Sequence, residues 1–166
     1  MVHDFIVTSQ HVIFPIFPLV IDLEQAMKGN APIAWDGNKP SYIGIMPRDG
    51  SVEDIKWIED DPCYVFHPMN AYTEGDKIVA DMMQFEEAPL FPHADGSAPD
   101  PKKAEDRLNR WEIDLSSNSG KINKNFLYDD MGEFPRLDER FSMLNYRHVF
   151  YRSEEHTSEL QSRTNL

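Results

Sequence analysis

The sequence predicts an all-β chain, and three observations carry that expectation. Short runs rich in Val, Ile, Phe, Tyr and Thr recur along its length. Turn signals built from Gly, Asp, Asn and Ser separate them at fairly regular intervals, and only one short stretch has helix composition. A sandwich, a barrel or a propeller would satisfy this pattern, and strand period does not choose among them.

Taken in order, residues 3–8 (His-Asp-Phe-Ile-Val-Thr) and 11–21 are β-forming runs joined by Ser9-Gln10, which predicts a hairpin. Pro15 and Pro18 push its second strand toward a sheet edge or an irregular lining. Asp22 is a capping residue before helix formers, and Gly29 is a stop, so one or two helical turns are expected over 22–28. Residues 30–40 read as turn. Strands follow at 41–46 and 54–58, with Arg48-Asp49-Gly50-Ser51 turning between them. The stretch 63–72 and the returning run 77–85 make a second hairpin about Glu74-Gly75-Asp76. Residues 86–106, rich in Pro, Asp, Ala and Lys, read as a long surface excursion with a solvated His93. Strands at 108–115 and 125–128 form a third hairpin, 129–136 is extended, and 146–151 starts one more strand. The unit 41–85 holds four strand runs and has about the size of one propeller blade, roughly 40–45 residues.

Composition sets bounds on function. The 166 residues are 40% hydrophobic, enough for one core, and no apolar run approaches the length of a membrane span. The net charge of −13 would repel phosphate backbones and anionic lipid surfaces alike, so nucleic acid is excluded as an expected partner. Cys63 is the one cysteine, so no disulfide forms within the chain, and a reducing cytoplasm is the expected location. The N-terminus lacks a secretion signal, and Met1 reads as an internal methionine.

Residues 152–166 are polar, carry no strand period and follow abruptly on Phe150-Tyr151. The string Arg-Ser-Glu-Glu-His-Thr-Ser-Glu-Leu-Gln-Ser back-translates in frame into a sequence that resembles a widely used sequencing-library adapter. Residues 152–166 are therefore expected to be a non-native tail, which removes His156 from consideration as a ligand.

The stretch 63–72, Cys-Tyr-Val-Phe-His-Pro-Met-Asn-Ala-Tyr, is the one the rest is organised around. Strict alternation puts Tyr64, Phe66 and Pro68 on one face, with Val65, His67 and Met69 on the other. On composition alone His67 is as compatible with a core histidine as with a metal ligand. His3 alone reads as a chain-end histidine, and Glu133 as an exposed loop charge. Taken together, His3-Asp-Phe-x-x-Thr, Phe66-His-Pro-x-Asn-Ala and Glu133-Phe-Pro-Arg-x-Asp resemble, in this order, three iron-site segments of the carotenoid cleavage oxygenases, the family that includes the lignostilbene dioxygenases. The similarity covers residues 1–151 and is strongest over 1–8, 62–76, 108–115 and 132–151.

The resemblance implies a partial seven-bladed β-propeller over residues 1–151, with several antiparallel blades and short helical turns in loops. It implies a non-haem ferrous ion held by four histidines, of which His3 and His67 would be the second and third, with Glu133 an outer carboxylate accepting the distal N–H of an imidazole. His67 is the expected partner of Glu133. Ferrous iron suits imidazole ligands with coordination positions left open. The implied reaction is oxidative scission of an apolar alkene by dioxygen into two carbonyl products, the substrate being a carotenoid, an apocarotenoid or a stilbenoid. Phe5, Phe14, Phe17, Phe66 and Phe134 would suit a dry substrate tunnel, while Asn70 reads as a residue that satisfies backbone rather than a catalyst. The family's first ligand would lie before Met1 and its last beyond Tyr151, since His148 does not match the last ligand's context. The chain is thus expected to be an internal fragment, inactive alone. A non-catalytic β-propeller binding module is the alternative, and a hydrolase on the same scaffold using another divalent ion is a weaker one.

Overall fold

The computed structural model describes residues 2–117, 120–128, 131–153 and 160–164. Strands β1 (Ile6–Val7) and β2 (His11–Ile16) form the first expected hairpin, with Ile6 opposite Ile13. Thr8, fully buried, closes its turn by accepting the amide protons of Gln10 and His11 on Oγ1. β2 is shorter than the apolar run 11–21. Across Pro18 the Leu19 amide donates to the Phe17 carbonyl at 2.8 Å, and the chain turns into β3 (Leu19–Ile21). Beyond Ile13, β2 has no β1 residue beside it, and a strand with one free side tolerates Pro15. Helix α1 (Leu23–Met27) follows, with the Asp22 carboxylate accepting the Gln25 amide at 3.0 Å, and Gly29 leaves it at a φ of 82°. The region 30–40 is not all turn. It contains β4 (Ile33–Trp35), which pairs with β3 and is too short for its period to be read.

Strand β5 (Ser41–Pro47) pairs with both β2 and β6 (Lys56–Asp60). A 3-10 turn over Val52–Asp54, capped by Ser51, takes up the start of the strand expected at 54. β7 (Tyr64–Glu74) and β8 (Lys77–Phe85) form the long central hairpin, turning at Gly75 with a φ of 59°. β9 (Asp106–Asp114) lies against β8, and β10 (Ile122–Tyr128) against β9. β11 (Gly132–Leu137) then pairs with β12 (His148–Ser153), and β12 with β13 (Leu160–Thr164). Arg152, Ser153 and β13 belong to the stretch set aside as a tail; His156 lies outside the described residues.

Two four-stranded antiparallel sheets result, in the orders β1-β2-β5-β6 and β10-β9-β8-β7, with a third begun by β11-β12-β13. The unit 41–85 is therefore not one blade, because β5 and β6 finish the first sheet and β7 and β8 begin the second. Repeat length alone could not show where one sheet ends. The second sheet is covered on both faces. On one side Ile13, Ile43, Ile45 and Ile58 of the first sheet pack with Tyr64, Ile78, Met82, Trp111 and Ile113. On the other, Met69, Tyr72, Val79, Met83 and Leu108 meet Tyr146, Val149 and Tyr151. Alternation along β8 and β9 sends successive side chains into these two cores.

The excursion after β8 folds back on β4. Trp35 donates its amide to the Pro92 carbonyl at 2.8 Å and accepts from Ala94 at 3.2 Å. This tether takes His93 out of solvent: it is half-buried, with Nε2 3.2 Å from the buried Glu87 carboxylate and Nδ1 3.1 Å from the Ser97 hydroxyl.

Candidate metal centre

β1, β7 and β11 are each the edge strand of their sheet, and β7 touches both of the others. Each edge brings one chemistry-bearing side chain to the same place. His3 stands just before β1, His67 in β7, and Glu133 in β11. The position of His67 depends on a departure from alternation. The β7–β8 pairing shifts register between Val65 and Pro68 and again between Pro68 and Asn70. Bulges re-aim side chains. Val65 goes into the core shared with the first sheet and Met69 into the core shared with the third, while His67 is left half-buried between them, its side chain 33% exposed.

The His3 and His67 rings stand 5.4 Å apart between centroids and nearly perpendicular, at 87°. His3 Nδ1 lies 2.9 Å from the Phe66 carbonyl oxygen. A carbonyl only accepts, so Nδ1 carries the proton. His67 Nδ1 lies 2.8 Å from Glu133 Oε2, which assigns its proton in the same way. In the neutral form both imidazoles therefore present Nε2 as a lone pair, with no hydrogen-bond partner for it among the described residues. Neutral imidazole fixed through Nδ1 and free at Nε2 is the form in which histidine binds a metal, and a carboxylate behind it raises its basicity. The donor set fits part of a first-row metal site. Among the described residues no group of three His, Cys, Asp or Glu is assembled to hold an ion.

Glu133 is held through Oε2 alone, its Oε1 being buried without a hydrogen-bond partner among the described residues. Its side chain is 13% exposed, and the Phe134 amide donates to the same Oε2 at 2.9 Å. Phe134 has a φ of 56°, a conformation a bulky side chain rarely adopts, which concentrates strain next to this carboxylate. Burial, with the Glu133 charge as a second cause, pushes the Tyr64 phenol up to about 12. The phenylalanines expected to line a tunnel divide. Phe17 is core, Phe5 is exposed 6.5 Å from Phe14, and Phe134 is exposed with its ring 5.0 Å from His67.

Three residues support the site, and two of them, Asp106 and Gly132, were not legible as such. Asn70 does satisfy backbone: its amide group donates to the Phe141 and Leu144 carbonyls at 3.3 and 3.1 Å, and its oxygen accepts from Met143 at 3.0 Å. What spacing could not show is that this ties the β11–β12 connection to β7, three residues past His67. Asp106 reads in sequence as a solvated loop acid but is 2% exposed, with both carboxylate oxygens 3.1 Å from the Gly132 amide. Gly132 lacks room for a side chain, since a Cβ would overlap the Tyr151 ring and lie 2.7 Å from the Arg152 carbonyl oxygen. A glycine directly before a proposed carboxylate was the available signal.

Known proteins share this arrangement of strands. The family described as retinal pigment epithelial membrane protein matches residues 1–165. An isoeugenol monooxygenase of Pseudomonas putida is 40% identical over 150 residues, covering 89% of this chain and 31% of its own length. A lignostilbene-alpha,beta-dioxygenase, isozyme III, of Sphingomonas paucimobilis is 36% identical over 155 residues, again 89% of this chain and 31% of the relative. Among solved structures, the lignostilbene dioxygenase of Pseudomonas brassicacearum superimposes with a TM-score of 0.83 at 34% identity, over 91% of this chain and 32% of that one. The cobalt-substituted apocarotenoid oxygenase of Synechocystis does so at 0.78 and 25% identity, over 97% and 34%. The chain thus spans about a third of the length of these relatives, and its stacked antiparallel sheets are part of a β-propeller. It belongs to the retinal pigment epithelial membrane protein family, that of the carotenoid and lignostilbene cleavage oxygenases.

Proposed function

We propose that this chain is part of an iron-dependent dioxygenase that cleaves the C=C bond of an apolar alkene into two carbonyl products, and that His3 and His67 are two of the histidines that hold its ferrous ion. The observation that carries this reading is the pair of imidazoles 5.4 Å apart, each with Nδ1 engaged and Nε2 free. When bound, ferrous iron supplies the activation of dioxygen that the alkene lacks a means to achieve alone. The chain's own residues do the rest. The Phe66 carbonyl and the Glu133 carboxylate hold each Nδ1 proton and so keep both Nε2 atoms available. Phe134 and Phe66 present apolar surface beside the histidines, where an alkene would lie and water be excluded.

The names of the relatives support aryl alkenes as the first substrates to try, since isoeugenol and lignostilbene are both of that kind. Residues 1–151 carry the domain in this reading and 152–166 are a non-native tail, which resequencing the gene past Tyr151 checks. The working location is the cytoplasm, consistent with the buried free thiol of Cys63; no helix among the described residues is long and apolar enough to cross a membrane.

The test is recovery of the complete reading frame, anaerobic loading of the protein with ferrous iron, and chromatography of aldehydes formed from a stilbene and an apocarotenal. The expected result is cleavage of one of them with oxygen uptake, and loss of iron in His67→Ala. Iron retained in full by His67→Ala would reject the assignment of that ligand. A complete protein that binds no iron and consumes no oxygen would instead support a non-catalytic propeller module.

A further inference from the structure

We infer that Asp106 is a positioning residue for the Glu133–His67 pair, acting through the Gly132 amide. This rests on the iron reading above only where metal affinity is concerned; the geometric part stands without it.

The β11–β12 ladder holds Glu133 only from one side, and the partners it offers there, Ser153 and Arg152, lie in the stretch read above as a non-native tail. Pairing runs from Gly132 opposite Ser153 to Glu133 opposite Arg152, then shifts before resuming at Arg136 opposite Phe150. A bulged strand has lost the register that would otherwise place its side chains. Glu133 stands at the edge of that shift, and Phe134 within it takes a φ of 56°. An anchor outside the ladder would add to these two pairs just before the shift.

Asp106 is such an anchor. It opens β9, the strand next but one to β7 in the same sheet, and is 2% exposed. Its two oxygens lie at equal distances of 3.1 Å from the Gly132 nitrogen, so the amide proton points between them. A carboxylate buried in this way is costly unless it is hydrogen-bonded, and an ionised acceptor makes the stronger bond. Gly132 can come this close because it has no side chain to collide with Tyr151 and Arg152. The next residue is Glu133, whose Oε2 is held by the Phe134 amide from one side and by His67 Nδ1 from the other. Asp106 thus anchors one end of a three-residue clamp, Gly132-Glu133-Phe134, and the imidazole lies at the other end.

The experiment uses the full-length parent protein and the variants Asp106→Asn, Glu133→Gln and the double variant. In the metal-free protein labelled with 15N-histidine, wild type should show a downfield Nδ1 proton for His67, and Asp106→Asn should move that signal toward its position in Glu133→Gln. In ferrous titrations Asp106→Asn should bind about 10-fold more weakly. It should cause little further loss when Glu133→Gln is already present, because the two residues act in series. An unmoved His67 signal, or equal losses in both backgrounds, would overturn the inference. Should Asp106→Asn fail to fold, the wild-type Gly132 amide carries the test: a downfield, slowly exchanging proton supports the anchor and a fast-exchanging one rejects it. If wild type binds no iron, the iron reading fails while the His67 and Gly132 signals still decide the role of Asp106.

Discussion

Directionality is what His67 and Glu133 contribute at the scale of single residues. The carboxylate at 2.8 Å selects the Nδ1-protonated tautomer and fixes the orientation of the ring. Replacing Glu133 by Gln keeps the size of the side chain and removes the charge, and the full-length protein should lose roughly 10- to 100-fold in ferrous affinity, read by anaerobic titration. Tyr64 offers a check on electrostatics away from the metal. Its phenol has an ordinary value of 10.0 and is pushed up to about 12 by burial and then by Glu133. The unfolded chain therefore loses this proton first as pH rises, so the stability Tyr64 contributes is complete below pH 10 and is lost between 10 and about 12. Tyr64→Phe should flatten the fall of Tm across that window relative to wild type, and an unchanged slope would show that the phenol is not coupled to folding. The identity of both groups was legible in the sequence, but their pairing was not. His67 and Glu133 are separated by most of the second sheet, and no local spacing encodes a contact between two edge strands.

At the scale of elements, the β11–β12 hairpin is the piece on which the candidate site depends, and two pins hold it, Asn70 and the bond from the Gly132 amide to Asp106. Asn70 satisfies three backbone groups of the connection, at Phe141, Met143 and Leu144. Asn70→Ala leaves them unpaired and should cost about 1–3 kcal/mol in denaturant unfolding of the full-length protein. Gly132 and Gly44 make a contrast. A Cβ at Gly132 would meet the Tyr151 ring and the Arg152 backbone, whereas at Gly44 it would meet the Trp57 ring at 2.8 Å. Trp57 is 51% exposed and can swing away, but a strand backbone cannot. Gly132→Ala should therefore destabilise by about 1–3 kcal/mol or more. Gly44→Ala should stay within about 1 kcal/mol of wild type, its backbone entropy gain offsetting the ring movement. Most hairpins were readable because adjacent strands alternate and turn at Gly or Asn. β4 was too short to show a period, and the bulges of β7 and β11 broke the period where it mattered most.

Across the whole molecule, three sheets are stacked so that their edge strands meet, and the site belongs to none of them alone. Trp57, Phe126 and Phe150 remain largely exposed on the sheets, apolar area of the kind that neighbouring blades cover. The 166-residue chain expressed alone should accordingly associate, seen by size-exclusion chromatography, and should carry well under one iron per chain by metal analysis, while the full-length protein carries a stoichiometric amount. A monomeric chain with full iron would mean that two imidazoles suffice.

By itself the sequence determined the all-β class, the order of the long hairpins, the acidic balance that disfavours nucleic acid, and the three segments that meet at the candidate site. These are local properties, written in alternation, turn residues and short motifs. Only the tertiary structure decided that the second sheet begins at β7, that bulges turn His67 out of its alternating face, and that Asp106 reaches Gly132 from another sheet. Contacts between strands distant in sequence follow from how sheets stack, and stacking is settled by packing of whole faces rather than by any one run of residues.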